Sequence, residues 1–157
     1  MLFQMLVPLV HRSHEMKALD PSHHFFRHLK KTWMEGDFID PAAFRIRQEN
    51  DTGQFEDGLS VNWVEYFGKP TAQEAVAPLV DILEKKGRKV SKSSKFALLK
   101  VDSAKTAAKQ YVDIAVVNDA EPNDASHALV KGYEAYNDQV AEELAKIVIA
   151  TYPAKTY

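Results

Sequence analysis

The side chains best suited to chemistry lie in two runs of strand-forming residues that are far apart in the chain. Ser60 and Asn62 alternate with apolar residues in the first run, and His127 opens the second run directly after an acidic loop. Because side chains alternate along a strand, Ser60 and Asn62 share a face, and Glu65 joins that face only if the strand bulges. Histidine moves protons readily near neutral pH. We therefore predict His127, Ser60 and Glu65 as catalytic residues; the alternatives are structural hydrogen bonds for Ser60 and a capping or core position for His127.

A second candidate group consists of basic residues in an apolar setting. Arg27 and His28 stand between two phenylalanines and a leucine. A buried guanidinium is costly unless an anion meets it, and its planar fork suits phosphate or carboxylate. We predict Arg27 and His28 as ligand-binding residues, and the alternative for Arg27 is an internal ion pair with Glu65 or Asp57.

Two further basic segments could contact an anion. Arg45 and Arg47 are two apart on a predicted strand, Phe44–Arg47, so they form either an anion-binding stripe or a solvated face. The lysine-rich run at 85–95 suits a helix C-terminus and a charged loop. It lacks the interleaved aromatic residues on which the bases of single-stranded nucleic acid stack. We therefore predict no nucleic-acid partner except through this run.

Metal chemistry has little support in the sequence. Five of the six histidines lie in the first 28 residues. In a helix over residues 22–34, His24 and His28 would be one turn apart, a spacing that can chelate a metal. Two ligands do not make a site, and His127 or Glu35 would have to complete it. We predict no metal site.

Composition limits the function further. The chain has 157 residues, a formal net charge of −2, 45% hydrophobic and 27% charged residues, and no cysteine. These values predict one domain over residues 1–157 and exclude disulfides, thiolate metal sites and a cysteine nucleophile. The apolar residues 1–10 are too short to span a membrane, which needs roughly 20. We expect a cytoplasmic protein with no membrane contact, in which residues 1–15 are an edge strand or a leader before a start at Met5 or Met16.

The elements that must position these residues follow from periodicity and capping. Residues 22–34 read either as a helix or, around Phe25–Leu29, as a strand. A capping box at Thr71 opens a helix that either kinks or restarts at Pro78. Further strands are predicted over residues 59–67, 95–101, 112–117 and 127–130, a short helix over 102–111, and a C-terminal amphipathic helix from Asn137 to near Pro153. The fold class is α+β: a small, mostly antiparallel sheet, about four helices, and the C-terminal helix packed on the sheet.

Several motifs together resemble a pattern of small uncharacterised bacterial proteins. The resemblance spans most of the chain and implies a bacterial origin. It rests on Arg27-His28, Trp33, Glu35-Gly36-Asp37, Pro41-Ala42-Ala43-Phe44-Arg45-Ile46-Arg47, Asp57-Gly58-Leu59-Ser60-Val61, Pro122, Asp124-Ala125-Ser126-His127-Ala128 and Gly132.

A weaker resemblance is to ADP-ribosyltransferase-like domains. It implies that Arg27 or His28 contacts the pyrophosphate or ribose of NAD, that Ser60 contacts the ribose, and that Glu65 or His127 lies near the scissile glycosidic bond. The chain departs from that family because no clear glutamate lies on a late strand. No cofactor is predicted apart from NAD under this resemblance.

Three functions therefore stay open from the sequence. The first is a protein-interaction module, such as an immunity protein, an antitoxin or an accessory subunit, with a protein partner at exposed aromatic residues: Trp33, Trp63, Tyr66 and Phe67. The second is a small ADP-ribosyltransferase-like or nucleotide-binding domain using Arg27, His28, Ser60 and His127. The third is a ribonuclease-like toxin with His28 and His127 as its acid–base pair.

Overall fold

Six strands form one antiparallel sheet in the computed structural model, which describes residues 16–48 and 53–155. The order across the sheet is β6-β7-β4-β1-β5-β8, and a short hairpin of β2 and β3 stands apart from it. The predicted N-terminal strand lies outside the described residues. The strands are β1 (His24–Leu29), β2 (Met34–Glu35), β3 (Phe38–Ile39), β4 (Leu59–Trp63), β5 (Lys95–Lys100), β6 (Ala115–Asn118), β7 (His127–Lys131) and β8 (Ala150–Pro153).

Three α-helices cover the sheet: α1 (Ala72–Lys85), α2 (Val101–Ala108) and α3 (Asp138–Lys146). Thr71 is the N-cap of α1, as predicted, because its hydroxyl accepts from the Glu74 N–H. The Glu74 carboxylate accepts from the Thr71 hydroxyl, whereas in a capping box it accepts from the backbone N–H. Pro78 lies inside α1, which neither ends nor begins there. No helix among the described residues is long and apolar enough to cross a membrane. Three short 3-10 helices complete the fold: Lys31–Trp33, Pro41–Phe44 and Glu65–Phe67.

The sheet separates two apolar clusters, because its strands alternate in the residues they bury on each side. Phe25 and Leu99 pack with α2, α3 and the 3-10 helix Pro41–Phe44 on one face. Phe26 and Phe96 pack with α1 on the other, which we call the α1 face. The predicted α+β class with a mostly antiparallel sheet is confirmed, with three α-helices where about four were expected.

Local structure in the first third of the chain differs from the sequence prediction in two segments. Residues 24–29 form a strand that pairs with β4 on one side and β5 on the other, so the alternative helix over 22–34 is wrong. The predicted strand Phe44–Arg47 is also wrong. Asp40 caps the 3-10 helix Pro41–Phe44 by accepting from the Ala42 N–H, so Arg45 and Arg47 follow that helix as irregular chain.

The C-terminal region holds a strand that the sequence analysis missed. Asn137 caps α3 as predicted, because its side chain accepts from the Val140 N–H. The helix ends at Lys146, however, and not near Pro153. The following residues turn back as β8 and pair with β5, with Ala97 opposite Thr151. The apolar residues after Lys146 continue the helical pattern, so periodicity alone placed the end of the helix too late.

Candidate active site

Ser60 and His127 meet on the α1 face of the sheet. Their strands are neighbours, and the antiparallel register places Asn62 opposite His127. Alternation along β4 and β7 puts all three side chains on this face, because the residues between them belong to the opposite cluster. Ser60 Oγ lies 3.1 Å from His127 Nε2. Two of the predicted catalytic residues are therefore in hydrogen-bond contact.

The surroundings of His127 fix where its protons are. Nδ1 lies 3.0 Å from the backbone oxygen of Asp119 and 3.1 Å from Oδ2 of the same residue. Both oxygens are acceptors, so a neutral imidazole carries its hydrogen on Nδ1. Nε2 is then an acceptor, and the Ser60 hydroxyl donates to it. Ser60, His127 and Asp119 thus have the proton arrangement of a nucleophile, its general base and an orienting carboxylate.

A buried polar network supports the chain around His127. Asn62 donates through Nδ2 to Asp124 Oδ2 at 3.0 Å and to Ser126 Oγ at 2.9 Å. Ser126 Oγ in turn donates to Asp124 Oδ1 at 2.6 Å. The network links β4 to the residues just before β7, and so fixes the position of His127 relative to Ser60.

Lys86 extends this network to the end of α1. Its ammonium donates to Asp124 Oδ2 at 3.0 Å and to Glu121 Oε1 at 2.8 Å. Burial of the Asp124 carboxyl raises its pKa, but hydrogen bonds from Ser126 and Lys86 outweigh burial, and the net pKa is lowered. Asp124 is therefore held as a carboxylate.

Asp119, Glu121 and His127 also offer three ligand atoms within 4.8 Å of one another, a set that could hold a divalent cation. Two features oppose that use. His127 Nδ1 already donates to Asp119, and the Lys86 ammonium already neutralises Glu121. A cation would have to displace both, so the chemistry of this donor set favours the hydrogen-bonded arrangement.

Arg27 lies on the opposite face from the Ser60 hydroxyl. Its Nε donates to the Ala43 backbone oxygen at 2.7 Å, and Nη1 donates to the Ser60 backbone oxygen at 2.9 Å. The guanidinium carbon lies 5.6 Å from the centre of the Trp33 ring. Burial lowers the pKa of Arg27 to about 10. The predicted gathering of Arg27 with the Ser60 and His127 side chains therefore does not occur, and Arg27 instead connects the 3-10 helix Pro41–Phe44 to β4.

His28 forms a second serine–histidine pair on the α1 face. Its Nε2 lies 2.9 Å from Ser94 Oγ, and Ser94 Oγ donates to the Ser91 backbone oxygen at 2.8 Å. The Ser94 proton is thus used, so His28 donates to Ser94. Burial, followed by the charges of Arg27, Arg88 and Lys30, lowers the pKa of His28 to about 4.

The remaining predicted site residues lie elsewhere. Glu65 is in the 3-10 helix after β4, where it accepts from the backbone N–H of His24 at 2.7 Å and lies 2.6 Å from its Nδ1. Arg45 Nε donates to Asp138 at 2.9 Å in an exposed ion pair, and Arg47 is exposed. Neither arginine is on a strand, and both are exposed, as the alternative of a solvated face expects.

The aromatic residues predicted as a partner surface are mostly packed. Trp33 and Trp63 pack against the cluster opposite the α1 face, and Phe67 packs against the α1-face cluster. Tyr66 is 44% exposed. The sequence analysis did not identify Asp119, Lys86 or Asp124, since nothing in their local sequence shows that residues 119–126 fold back on the end of α1.

Comparisons of the chain with protein families, curated proteins and solved structures find no match. The site geometry is therefore the basis for assigning a function.

Proposed function

We propose that the protein is a serine hydrolase that cleaves carboxylic esters with Ser60 as its nucleophile. The observation that carries the proposal is the hydrogen bond between Ser60 Oγ and His127 Nε2, together with the position of His127 Nδ1, which lies 3.0 Å from the Asp119 backbone oxygen and 3.1 Å from its carboxylate. Acyl transfer needs this order of groups, because a serine hydroxyl is a weak nucleophile until a base takes its proton.

The proposed reaction has two halves. Ser60 Oγ attacks the carbonyl carbon of the ester while its proton passes to His127 Nε2, and Asp119 stabilises the imidazolium that forms. The carbon–oxygen bond to the leaving alcohol then breaks, and the alcohol takes the Nε2 proton. Water attacks the resulting acyl ester on Ser60 with His127 again as base, which releases a carboxylic acid and restores the serine hydroxyl.

Exposure of the two side chains suits these roles. Ser60 keeps partial exposure, whereas His127 is 6% exposed. Of the two residues, the serine is therefore the more accessible, and the histidine is largely shielded from water. The apolar α1-face cluster includes residues of β1 and β5 and none of β4 or β7, so the polar group occupies a separate part of this face.

Other functions suggested by the sequence account for less of this geometry. The ribonuclease interpretation needs His28 and His127 as a pair, but His28 donates to Ser94 and has a pKa of about 4. The ADP-ribosyltransferase-like interpretation needs Arg27 beside the Ser60 hydroxyl, and these groups lie on opposite faces. The interaction-module interpretation assigns no role to the contact between His127 and Asp119.

The test is covalent labelling of the full chain with a fluorophosphonate probe, combined with hydrolysis of p-nitrophenyl butyrate. We expect labelling at Ser60, loss of labelling and hydrolysis in Ser60→Ala, and a fall of about 10²- to 10⁴-fold in hydrolysis in His127→Asn.

Ser94→Ala is the matched control, because Ser94 also contacts a histidine but uses its proton elsewhere. It should keep both labelling and hydrolysis. A wild-type chain that is not labelled, labelling at another residue, or hydrolysis that survives in Ser60→Ala would refute the proposal.

A further inference from the structure

A cleft of about 770 Å³ lies between the β2–β3 hairpin and the chain that leaves α3 for β8. No residue of the Ser60 site lines it. This volume is typical of small-molecule sites, which range over roughly 300–1,000 Å³. Its walls come from separate parts of the fold: the β2–β3 hairpin, the end of α3, the chain into β8, and the start of β5.

The cleft has exposed apolar walls. Phe38 on the hairpin is 62% exposed and Ile149 before β8 is 55% exposed, and both line it. Met34, Ile39 and Val148 add further apolar surface to the same space. Large apolar side chains that are exposed together in a concave site indicate that something apolar covers them.

Charge distribution inside the cleft favours an anion. Its charged lining residues are Asp37, Glu142, Lys146 and Lys95. The first three are exposed, whereas Lys95 is half-buried at the start of β5. Among the described residues no carboxylate forms an ion pair with Lys95. A charge counts for more where water is partly excluded, so Lys95 is the charged lining residue that solvent screens least.

We propose that this cleft binds a small amphipathic carboxylate, with its apolar chain against Phe38 and Ile149 and its carboxylate on the Lys95 ammonium. Apolar walls beside a half-buried lysine that has no carboxylate partner among the described residues suit a medium-chain acid better than a neutral or cationic molecule of the same length. The proposal does not depend on Ser60 and concerns a separate site.

The experiment is a titration of the full-length, ¹⁵N-labelled chain with decanoate, 1-decanol and decyltrimethylammonium, each below its aggregation concentration. We expect shift changes confined to the cleft, with decanoate bound most tightly. Lys95→Met should weaken decanoate about tenfold and leave 1-decanol unchanged, and Ile149→Ser should weaken both.

Lys131→Met is the matched control, because Lys131 is also a half-buried lysine at the end of a strand but does not line the cleft. It should bind decanoate as the wild type does. Equal binding of decanoate and 1-decanol, tighter binding of the cation, shift changes elsewhere, or no binding would overturn the proposal. A homodimer in sedimentation that Ile149→Ser dissociates would also overturn it and assign the cleft to a second copy of the chain.

Discussion

At the scale of single residues, the two serine–histidine hydrogen bonds on the α1 face have opposite donors: His28 donates to Ser94, whereas Ser60 donates to His127. Ser94 gives its proton to a backbone oxygen, so His28 must donate to it. Ser60 has His127 as the acceptor of its proton, because the far side of that imidazole donates to Asp119. The third group, and not the serine–histidine pair, therefore decides which histidine can act as a base.

Asp119→Asn tests this role of the third group. We expect hydrolysis of p-nitrophenyl butyrate to fall about 10²-fold, because the asparagine amide can donate to Nδ1 and favour the wrong tautomer. The Asp119 backbone oxygen still accepts from Nδ1, so the tautomer is not lost entirely. Measured kcat is the readout, and Asp113→Asn, an exposed change nearby in the chain, should leave it unaltered. An equal kcat in both variants would show that the Asp119 carboxylate has no part in the reaction.

His28 should make stability depend on pH. Its folded pKa of about 4 lies below the ordinary value of 6.5, so the unfolded chain takes up the proton first as pH falls. Stability is therefore full above about pH 6.5 and is lost as pH falls toward 4. We expect the wild type to lose about 2 kcal/mol more than His28→Gln between pH 7 and pH 4.5 in urea unfolding. If the free energy of unfolding changed equally with pH in both proteins, the lowered pKa of His28 would be contradicted.

At the scale of elements, local signals predicted what local interactions determine. The capping residues Thr71 and Asn137 mark the starts of α1 and α3. Strand β1 stayed ambiguous because six residues are too few for periodicity to decide, and pairing on both sides with β4 and β5 decided it. Strand β8 was missed for the same reason, since only its pairing with β5 distinguishes it from a continued helix.

Gly132 after β7 is an element-scale requirement of the fold. Its φ is +110°, and a Cβ there would clash with the Asp113 backbone oxygen just before β6. Gly132→Ala should therefore destabilise the protein by about 2–4 kcal/mol, because strain and a close approach of two backbones add together. Thermal unfolding measures the effect. Gly36 also has a positive φ, but a Cβ there would have no atom within 4 Å. Gly36→Ala therefore measures backbone strain without a clash, and it should reduce the free energy of unfolding clearly less than Gly132→Ala.

At the scale of the whole molecule, the site depends on contacts between residues distant in sequence. Ser60 and His127 could be predicted because each stands at a recognisable strand position. Ser60 and His127 are in contact because β4 pairs with β7. Asp119 lies beside His127 because β6 pairs with β7. Lys86 comes from a helix on a different layer. No local pattern encodes such pairings, which is why half of the site was found only in the structure.

Lys86 connects α1 to the loop that holds His127, and its removal should act on both stability and activity. Asp124 is 1% exposed, so Lys86→Met leaves a buried carboxylate without its cation and should cost about 3 kcal/mol. The same change should raise the Asp124 pKa and shift acid unfolding to higher pH, since stability gained from a lowered carboxyl pKa is lost as pH falls through it.

The double variant Lys86→Met/Asp124→Asn separates charge from packing in this prediction. The asparagine introduced by Asp124→Asn can still accept a hydrogen bond from Ser126, but its NH₂ group then faces the Asn62 amide in place of an oxygen, so the double variant should recover part of the stability that Lys86→Met loses. Hydrolysis should recover with it if the network acts by positioning His127. Lys85→Met, an exposed change one residue earlier, should stay within about 0.5 kcal/mol of the wild type. Equal losses in the single and double variants would show that Lys86 contributes through its packing and not through its charge.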